Sequence, residues 1–274
     1  MTDASEWTGR VGTAWAEEWQ RTDRSFGALT DRLLDQAALG VFTRVLDIGC
    51  GAGEVSLRLA ERNPRARVLG VDISPELLDV ARRRGAKVAN VRFSEADAAM
   101  WKAGPGEHPD LLISRHGVMF FADPTAGFAH LRNEARAAAR LRFSCFRAHA
   151  DNLWAALLAS VLPSPQPASD PHAPGPFAFA DPERVEKILD AAGWGKVAFE
   201  PVDYAMIAGE GPDAVEEAMA YFQRIGPAAR ALTELPPSKR ESASERLRSV
   251  LARHCSEDRV SLPAAAWIVT ANAP

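Results

Sequence analysis

RVLDIGCGAGEVSLRLA, residues 44–60, contains the pattern that decides the fold. The apolar run at 45–48 indicates a short buried strand, and the apolar spacing after residue 54 is typical of a helix. Between them Gly49, Gly51 and Gly53 alternate with other residues. The pattern therefore predicts a strand, a glycine loop and a helix, which bring free backbone N–H groups and the positive end of a helix dipole to a ligand.

Two classes of cofactor use such a loop, and the spacing helps to separate them. The dinucleotide fingerprint G-x-G-x-x-G/A, counted from Gly49, would end at Glu54, where a carboxylate would face a pyrophosphate. The pattern present is D-x-G-x-G-x-G starting at Asp47, which suits a ligand with a cationic amino-acid part and no phosphates. S-adenosylmethionine fits that description. An NAD-dependent oxidoreductase is the alternative enzyme, disfavoured by the residue at position 54.

Four segments together resemble the class I S-adenosylmethionine-dependent methyltransferases. They are VLDIGCGAG at 45–53, VDISPELLDVARRR at 71–84, FSEADAAMW at 93–101 and DLLISRHGVMFF at 110–121. The branch is similar to the ubiquinone/menaquinone-biosynthesis methyltransferases and their small-molecule relatives. The resemblance covers roughly residues 44–146 well and the remainder loosely.

This resemblance implies an α/β fold. The expected core is a Rossmann-like, seven-stranded, mostly parallel sheet with helices on both faces, an N-terminal helical lid and helical insertions. It also implies S-adenosyl-L-methionine as cofactor and methylation of a small, aromatic or polyketide-like molecule at oxygen or carbon. A protein that binds the cofactor without catalysis, as a sensor or interaction module, is an alternative from another class.

The firmest site residue is Asp72, at the tip of the predicted second strand. An acidic residue about 20 positions after the glycine loop is placed to accept hydrogen bonds from both ribose hydroxyls. Capping of the next helix is the alternative role, but Ser74 and Pro75 already supply an N-cap and a first helical residue. The resemblance assigns Asp97 to the adenine amino group, with Ala98 beside the ring; the alternative is a surface aspartate in a turn.

Other residues are expected to bind the cofactor because of their places in the same motifs. From the glycine loop and the tips of the second and fourth strands, these are Asp47, Gly49, Cys50, Gly51, Ile73, Ser114 and Arg115.

Trp15 and Trp19 lie one helical turn apart in the N-terminal segment. Two hypotheses remain open for them. Either this helix packs an aromatic face on the sheet, or, as the resemblance implies, it forms a lid in which Trp15 covers the methionine end of the cofactor. An aromatic face beside a sulfonium would contribute about 0.5 to 2 kcal/mol.

His116 is the best candidate for a catalytic base, because it comes directly after the predicted fourth strand. A base with an unperturbed pKa near about 6.5 would make the rate rise with pH through that region. The alternative is a histidine that forms part of the pocket wall, which we slightly favour. His149 and Tyr221 are weaker candidates. No spacing typical of a metal site is present.

The predicted organisation is one structural domain with four parts. Residues 1–42 form the lid, 43–147 the cofactor-binding core, and 148–180 a proline-rich loop or cap. Residues 181–274 complete the sheet and carry a helical insertion at about 211–259.

Two local sequences in the core have predictions of their own. The arginine run at 82–84 indicates a solvated last helical turn, favourable to the helix dipole. At 137–139 the chain has Ala-Ala-Ala where the resembling proteins have Pro-Gly-Gly. Alanine tolerates a left-handed helix cap poorly, so we expect the helix to run on or the turn to take another form.

Composition limits the partners. The net charge is −4 with scattered arginines, so no basic surface for nucleic acid is indicated, and no apolar run approaches the length of a membrane span. With no signal-peptide pattern at residues 1–10, the expected location is the cytoplasm. The three cysteines are far apart and indicate neither a disulfide framework nor zinc. A small-molecule substrate is expected, and both monomer and homodimer remain open.

Overall fold

The computed structural model describes residues 4–161, 170 and 172–274. Its sheet is built from β1 (Arg44–Ile48), β2 (Arg67–Asp72), β3 (Val91–Glu95), β4 (Leu111–Arg115), β5 (Arg140–Phe146), β6 (Gly195–Glu210), β7 (Cys255–Ser256) and β8 (Arg259–Asn272).

The strand order is β3-β2-β1-β4-β5-β8-β6, with β7 paired to β8 off this path. The first five strands are parallel, whereas β8 runs antiparallel to both β5 and β6. The predicted seven-stranded, mostly parallel sheet is thus confirmed, with the two-residue β7 as an additional short strand. The order reverses between β1 and β4, and ligands of open α/β sheets bind at such a switch point.

Twelve α-helices lie in the described part of the chain. They are α1 (Ala4–Trp7), α2 (Arg10–Glu17), α3 (Trp19–Ser25), α4 (Gly27–Ala38), α5 (Glu54–Arg62), α6 (Pro75–Gly85), α7 (Pro124–Glu134), α8 (Leu153–Val161), α9 (Pro182–Ala191), α10 (Ala214–Arg224), α11 (Gly226–Glu234) and α12 (Pro237–Arg253). Short 3₁₀ helices span Gly117–Phe120 and His149–Asp151. No helix in these described ranges combines the length and apolar character needed to cross a membrane.

Strand β5 shows how the sheet is covered on both faces. Phe143 stacks with Phe128 of α7, with ring centroids 5.5 Å apart. Phe146, three residues later and therefore on the opposite face, meets Phe26 between α3 and α4 at 6.2 Å. A parallel sheet covered in this way is buried on both faces, which explains the nearly continuous apolar strands in the sequence.

The turn after α7 follows the second of the two outcomes expected from the alanine run, in which the turn takes another form. The helix ends at Glu134 and does not run on, and Ala138 itself adopts the left-handed conformation, with a φ of 58°. Its N–H donates to the Pro274 carbonyl at 3.3 Å, and the Ala139 N–H donates to Arg136 at 3.1 Å. These hydrogen bonds hold a conformation that alanine adopts only at a cost of about 1–2 kcal/mol.

Helices also occupy the segments predicted to lie outside the core. The segment 1–42 contains α1–α4, and the segment between β6 and β7 contains α10–α12. The proline-rich loop predicted within 148–180 falls largely on residues 162–169 and 171, which lie outside the described residues. The division into four parts stays a prediction.

Candidate functional site

A cavity of about 850 Å³ opens at the carboxyl ends of the parallel strands. The glycine loop after β1 and the 3₁₀ helix after β4 form its floor, and α2, α3 and α10 contribute to its cover. Nearly all residues predicted for the site line it: Trp15, Asp47, Gly49, Cys50, Gly51, Asp72, Ile73, Asp97, Ala98, Arg115 and His116. The motifs are far apart in sequence, and the switch point of the sheet brings them together.

The glycine loop has backbone conformations that other residues rarely adopt. Gly49 has a φ of 64°, and a Cβ there would lie 2.9 Å from the Cα of Gly117. Gly51 has a φ of 53°, and a Cβ there would meet no protein atom within 4 Å. The first glycine therefore permits close packing of two loops, whereas the second leaves open space beside the cavity.

Asp72 organises the edge of this space. It is 9% exposed, and its two carboxylate oxygens accept hydrogen bonds from the Gly51 N–H at 2.8 Å and the Ser74 N–H at 2.9 Å. Burial raises the pKa of the carboxyl, against the effect of these donors. As expected, the cap of α6 is Ser74, whose hydroxyl accepts from the Leu77 N–H, so Asp72 is not needed for that role.

Asp47, at the end of β1, is 1% exposed but reaches the cavity. Its Oδ2 accepts a hydrogen bond from the Ser56 hydroxyl at 2.6 Å, while Oδ1 has no partner. Burial raises the pKa of this carboxyl to about 7. An unpaired, buried carboxylate oxygen beside a cavity is suited to receive a cationic group from a ligand.

The adjacent part of the cavity is less enclosed. Asp97 is exposed, and one of its oxygens accepts a hydrogen bond from the Ala99 N–H at 2.9 Å, so the side chain shapes its own turn. Ala98 and Cys50 are buried. Burial, with Asp72 nearby, raises the pKa of the Cys50 thiol, so this residue acts through its small size and not as a thiolate.

The N-terminal tryptophans both pack on the core and line the cavity, while the role of Trp15 over the methionine end of the cofactor stays a prediction. The Trp7 and Trp15 rings lie 5.7 Å apart, and both line the cavity. They also pack against a small apolar cluster that includes Leu77 of α6. At Gly12 of α2, a Cβ would lie 2.4 Å from the Ser74 hydroxyl, so α2 docks closely on the start of α6. The helices therefore pack on the core and cover the cavity at once.

Ser114 is the one residue predicted to bind the cofactor that does not line the cavity. Its side chain is fully buried, and its hydroxyl donates to the Ile48 carbonyl at 2.7 Å and accepts from the Val118 N–H at 3.3 Å. These bonds connect the tip of β4 to β1 and to the 3₁₀ helix. The Ser114 side chain therefore shapes the floor from beneath.

Arg115 lines the cavity, but its guanidinium is paired within the protein. It contacts the carboxylate of Glu54, donates to the Thr30 hydroxyl at 2.9 Å and lies 3.5 Å from Asp23. This arrangement corrects one argument from the sequence. Glu54 faces Arg115 and does not line the cavity, so its carboxylate would not face a bound pyrophosphate.

His116 follows Arg115 with a φ of 66° and is 8% exposed. Its ring stacks on Phe146, with centroids 4.2 Å apart and planes at 17°, and meets Phe26 edge-on at 5.2 Å. Neither ring nitrogen has a hydrogen-bond partner. Burial, with the nearby charge of Arg115, lowers the pKa of His116 to about 3, well below the unperturbed value that the base hypothesis assumed.

Beyond His116 the cavity becomes an aromatic chamber, which we define by six lining residues: Phe26, Phe146, Trp154, Met206, Tyr221 and Phe222. The Phe146 and Trp154 rings lie 5.2 Å apart. Tyr221, a weaker candidate from the sequence, lies within the chamber, and its hydroxyl is 3.5 Å from that of Thr22. His149 instead packs on Phe177 and does not line the cavity.

Five of these six chamber residues were not predicted from the sequence. Phe146 ends β5, and the rule that ligands bind at strand ends would have indicated it. The others come from α8, α10, β6 and the junction of α3 and α4, where apolar spacing is equally typical of an ordinary core.

Comparison with known proteins identifies the family. A family model described as a methyltransferase domain matches residues 45–140. The chain is similar to a demethylmenaquinone methyltransferase of Deinococcus radiodurans, with 32% identity over 163 residues that cover 55% of this chain and 67% of that protein. The chain belongs to the class I S-adenosylmethionine-dependent methyltransferases.

Other matches of this methyltransferase are shorter or more distant. It is 44% identical over 88 residues to a trans-aconitate 2-methyltransferase of Paracidovorax citrulli, covering 32% of this chain and 33% of that one. The solved structure of a phosphoethanolamine N-methyltransferase 2 of Haemonchus contortus has a TM-score of 0.57 and 16% identity. The match covers 100% of this chain and 60% of that protein. The chain thus spans between one third and two thirds of the length of these three proteins.

We expect Asp72→Ala to weaken the binding of S-adenosylhomocysteine by about 1.5–3 kcal/mol, because charge-assisted hydrogen bonds to the ribose would be lost. Calorimetric titration measures this change, and circular dichroism checks the fold. Asp79→Ala, an exposed change on α6, is the matched control and should leave the affinity nearly unchanged. Unchanged affinity in a folded Asp72→Ala variant would contradict the assignment.

A second prediction concerns pH. A ligand ammonium group interacts favourably with ionised Asp47, whose pKa in the free protein is raised to about 7. Below that pH the carboxyl must lose a proton on binding, so affinity for S-adenosylhomocysteine should fall as pH decreases, by at most about tenfold per unit, and level off above it. Titrations between about pH 5.5 and 8.5 measure this dependence. Asp47→Asn should weaken binding at high pH and abolish the slope; an unchanged slope in that variant would assign the proton elsewhere.

Proposed function

We propose that this methyltransferase methylates a neutral, largely apolar small molecule, of aromatic or polyketide-like type, at oxygen or carbon. The observation that carries the proposal is the aromatic chamber beside His116, which offers rings and apolar side chains to an acceptor and no free positive charge. Arg115 is the one arginine or lysine among the described residues that line the cavity, and Glu54 and Asp23 already pair with it.

The opposite part of the cavity suits S-adenosyl-L-methionine. Asp47 would hold the ammonium group with its unpaired oxygen, and Asp72 would hold the ribose hydroxyls. Asp97 and Ala98 would lie at the adenine, and the open space at Gly51 would admit the ligand next to the backbone. The tryptophans at 7 and 15 would cover the methionine end, where an aromatic face favours a sulfonium.

When bound, S-adenosyl-L-methionine supplies a methyl group on a sulfonium that is already an activated leaving group. The protein must then align the acceptor atom with the methyl carbon and exclude water. The aromatic chamber can do both, because stacked rings orient a planar acceptor and displace solvent. A hydroxyl acceptor also loses a proton, to solvent or to His116, which is the one histidine among the described residues that line the cavity.

The environment of His116 favours a positioning role over that of a strong base. Burial keeps the imidazole neutral, and a pKa of about 3 makes it a poor proton acceptor. Its two ring nitrogens have no partner in the protein, so they are available to one polar group of the acceptor. We infer that His116 orients this group in an otherwise apolar chamber.

The compounds named for the relatives differ in charge, and this difference gives a direct test of the proposed substrate class. Trans-aconitate is a tricarboxylate, and each carboxylate moved into the chamber without a partner would cost several kcal/mol. We therefore expect a hydroxylated aromatic compound such as a naphthol or a reduced demethylmenaquinone analogue to be methylated, with a kcat/KM at least about 100-fold above that for trans-aconitate. Formation of S-adenosylhomocysteine measures turnover for each compound.

A matched pair of acceptors isolates the effect of charge. A hydroxynaphthoic acid and its methyl ester carry the same acceptor hydroxyl, but only the acid is anionic. The ester should be the better substrate by at least about tenfold in kcat/KM, because its ester group needs no counter-charge in the chamber. Preference for the acid, or for trans-aconitate, would overturn the proposed substrate class.

The role of His116 can be tested with His116→Gln. Glutamine keeps both a donor and an acceptor, so a positioning residue should lose less than about tenfold in kcat, with the main effect on KM. The rate of the wild type should not rise through pH 6–7 on account of this residue. A loss beyond about a hundredfold in kcat at saturating substrate would instead make His116 the catalytic base.

A further inference from the structure

Arg84 does not lie where its sequence predicted. The run 82–84 indicates a solvated helix end, and Arg82 fits this, since it is about half exposed and pairs with Asp79 of the same helix. The Arg84 side chain is only 20% exposed and points from α6 towards the N-terminal helices. A favourable interaction with the helix dipole therefore does not account for the position of the Arg84 side chain.

Three contacts hold the Arg84 guanidinium. One nitrogen donates to the backbone carbonyl of Ala52, in the glycine loop, at 2.7 Å. Another lies 2.7 Å from the carboxylate of Asp23 on α3. The group also stacks over the Trp19 ring at 3.9 Å. The planar guanidinium has several donors in a fixed arrangement, so one side chain can hold the loop and the helix together.

Asp23 extends this connection to the other end of the cavity. Its second carboxylate oxygen lies 3.5 Å from Arg115, the residue before His116. Asp23 and Trp19 both line the cavity, and the Asp23 side chain is 15% exposed. The glycine loop, the cover formed by α2 and α3, and the floor beneath the aromatic chamber are therefore joined through one carboxylate and two arginines.

We propose that Arg84 is a positioning residue that couples closure of the cover (α2 and α3) to the conformation of the glycine loop. Binding of the cofactor to the loop then stabilises the cover, and the closed cover completes the aromatic chamber through Phe26. The proposal rests on the proposed cofactor site. An ordinary exposed ion pair would contribute little to stability and nothing to ligand binding, whereas this pair is partly buried and contacts the loop backbone directly.

The first test is a double-mutant cycle on ligand affinity. Arg84→Met and Asp23→Asn should each weaken the binding of S-adenosylhomocysteine by about tenfold. The affinity of the double variant should lie within about twofold of the affinity of the weaker-binding single variant, because both changes remove the same connection. Arg82→Met, on the exposed side of the same helix, should stay within about twofold of the wild type. Additive losses would overturn the coupling.

The second test measures the cover directly by hydrogen exchange with and without S-adenosylhomocysteine. In the wild type the ligand should slow exchange in the glycine loop and in residues 10–25 alike. In Arg84→Met at saturating ligand, protection of the loop should persist while protection of residues 10–25 is lost, and Arg84→Lys should fall between the two. If the ligand protected residues 10–25 equally in the wild type and in Arg84→Met, the proposal would be overturned. Such a result would mean that the Arg84 contact does not carry the effect of the ligand to the cover.

These results also separate the proposal from the proposed function. If the wild type does not bind S-adenosylhomocysteine at all, the assignment of the cofactor site is wrong, and the proposed coupling is overturned as well. If the wild type binds and Arg84→Met behaves like Arg82→Met, the cofactor site stands and only the coupling is overturned.

Discussion

Burial of two carboxylates at the carboxyl edge of the sheet is the constraint on which the site depends. Asp47 and Asp72 lie in the last two positions of β1 and β2 and are almost inaccessible to water, so each needs donors from the protein. The N–H groups of Gly51 and Ser74 serve Asp72, and the Ser56 hydroxyl serves Asp47. The glycine loop therefore has to wrap tightly around the strand ends. One oxygen of Asp47 is left without a donor, and this is the position where a cationic ligand would be stabilised.

Charge is distributed unevenly around the cavity, and the proposed function depends on this difference. Arg115, the one arginine or lysine among the described residues that line the cavity, is paired with Glu54 and Asp23. The surface towards the strand tips is acidic, whereas the surface around His116 is aromatic and its histidine is neutral. Under the proposed function, a cationic donor and a neutral acceptor would each be favoured in their own half, because unpaired charge is costly only where the lining is apolar.

Local patterns predicted most of the core and most of the residues that meet at the cavity. Strands, glycines and acidic strand tips depend on neighbours within a few positions, so Asp47, Gly51 and Asp72 could be selected without coordinates. The alanine turn was harder, because the left-handed Ala138 donates a hydrogen bond to Pro274, which is distant in the sequence. The same limit applied to Glu54, whose partner Arg115 is 61 positions away.

The sequence by itself determined the strand, glycine loop and helix and the edge of the sheet at which the cofactor-binding motifs gather, since these follow from local periodicity and motif spacing. Its resemblance to known methyltransferases implied the fold class and the family. Only the tertiary structure decided the state of His116, the partners of Arg84 and the make-up of the aromatic chamber. The pKa of a histidine depends on what surrounds it, here Phe26 and Phe146 from other elements. The ion pairs and the chamber join α3, α6 and α10, and such contacts exist only after distant segments have packed, because burial and pairing are properties of the folded chain.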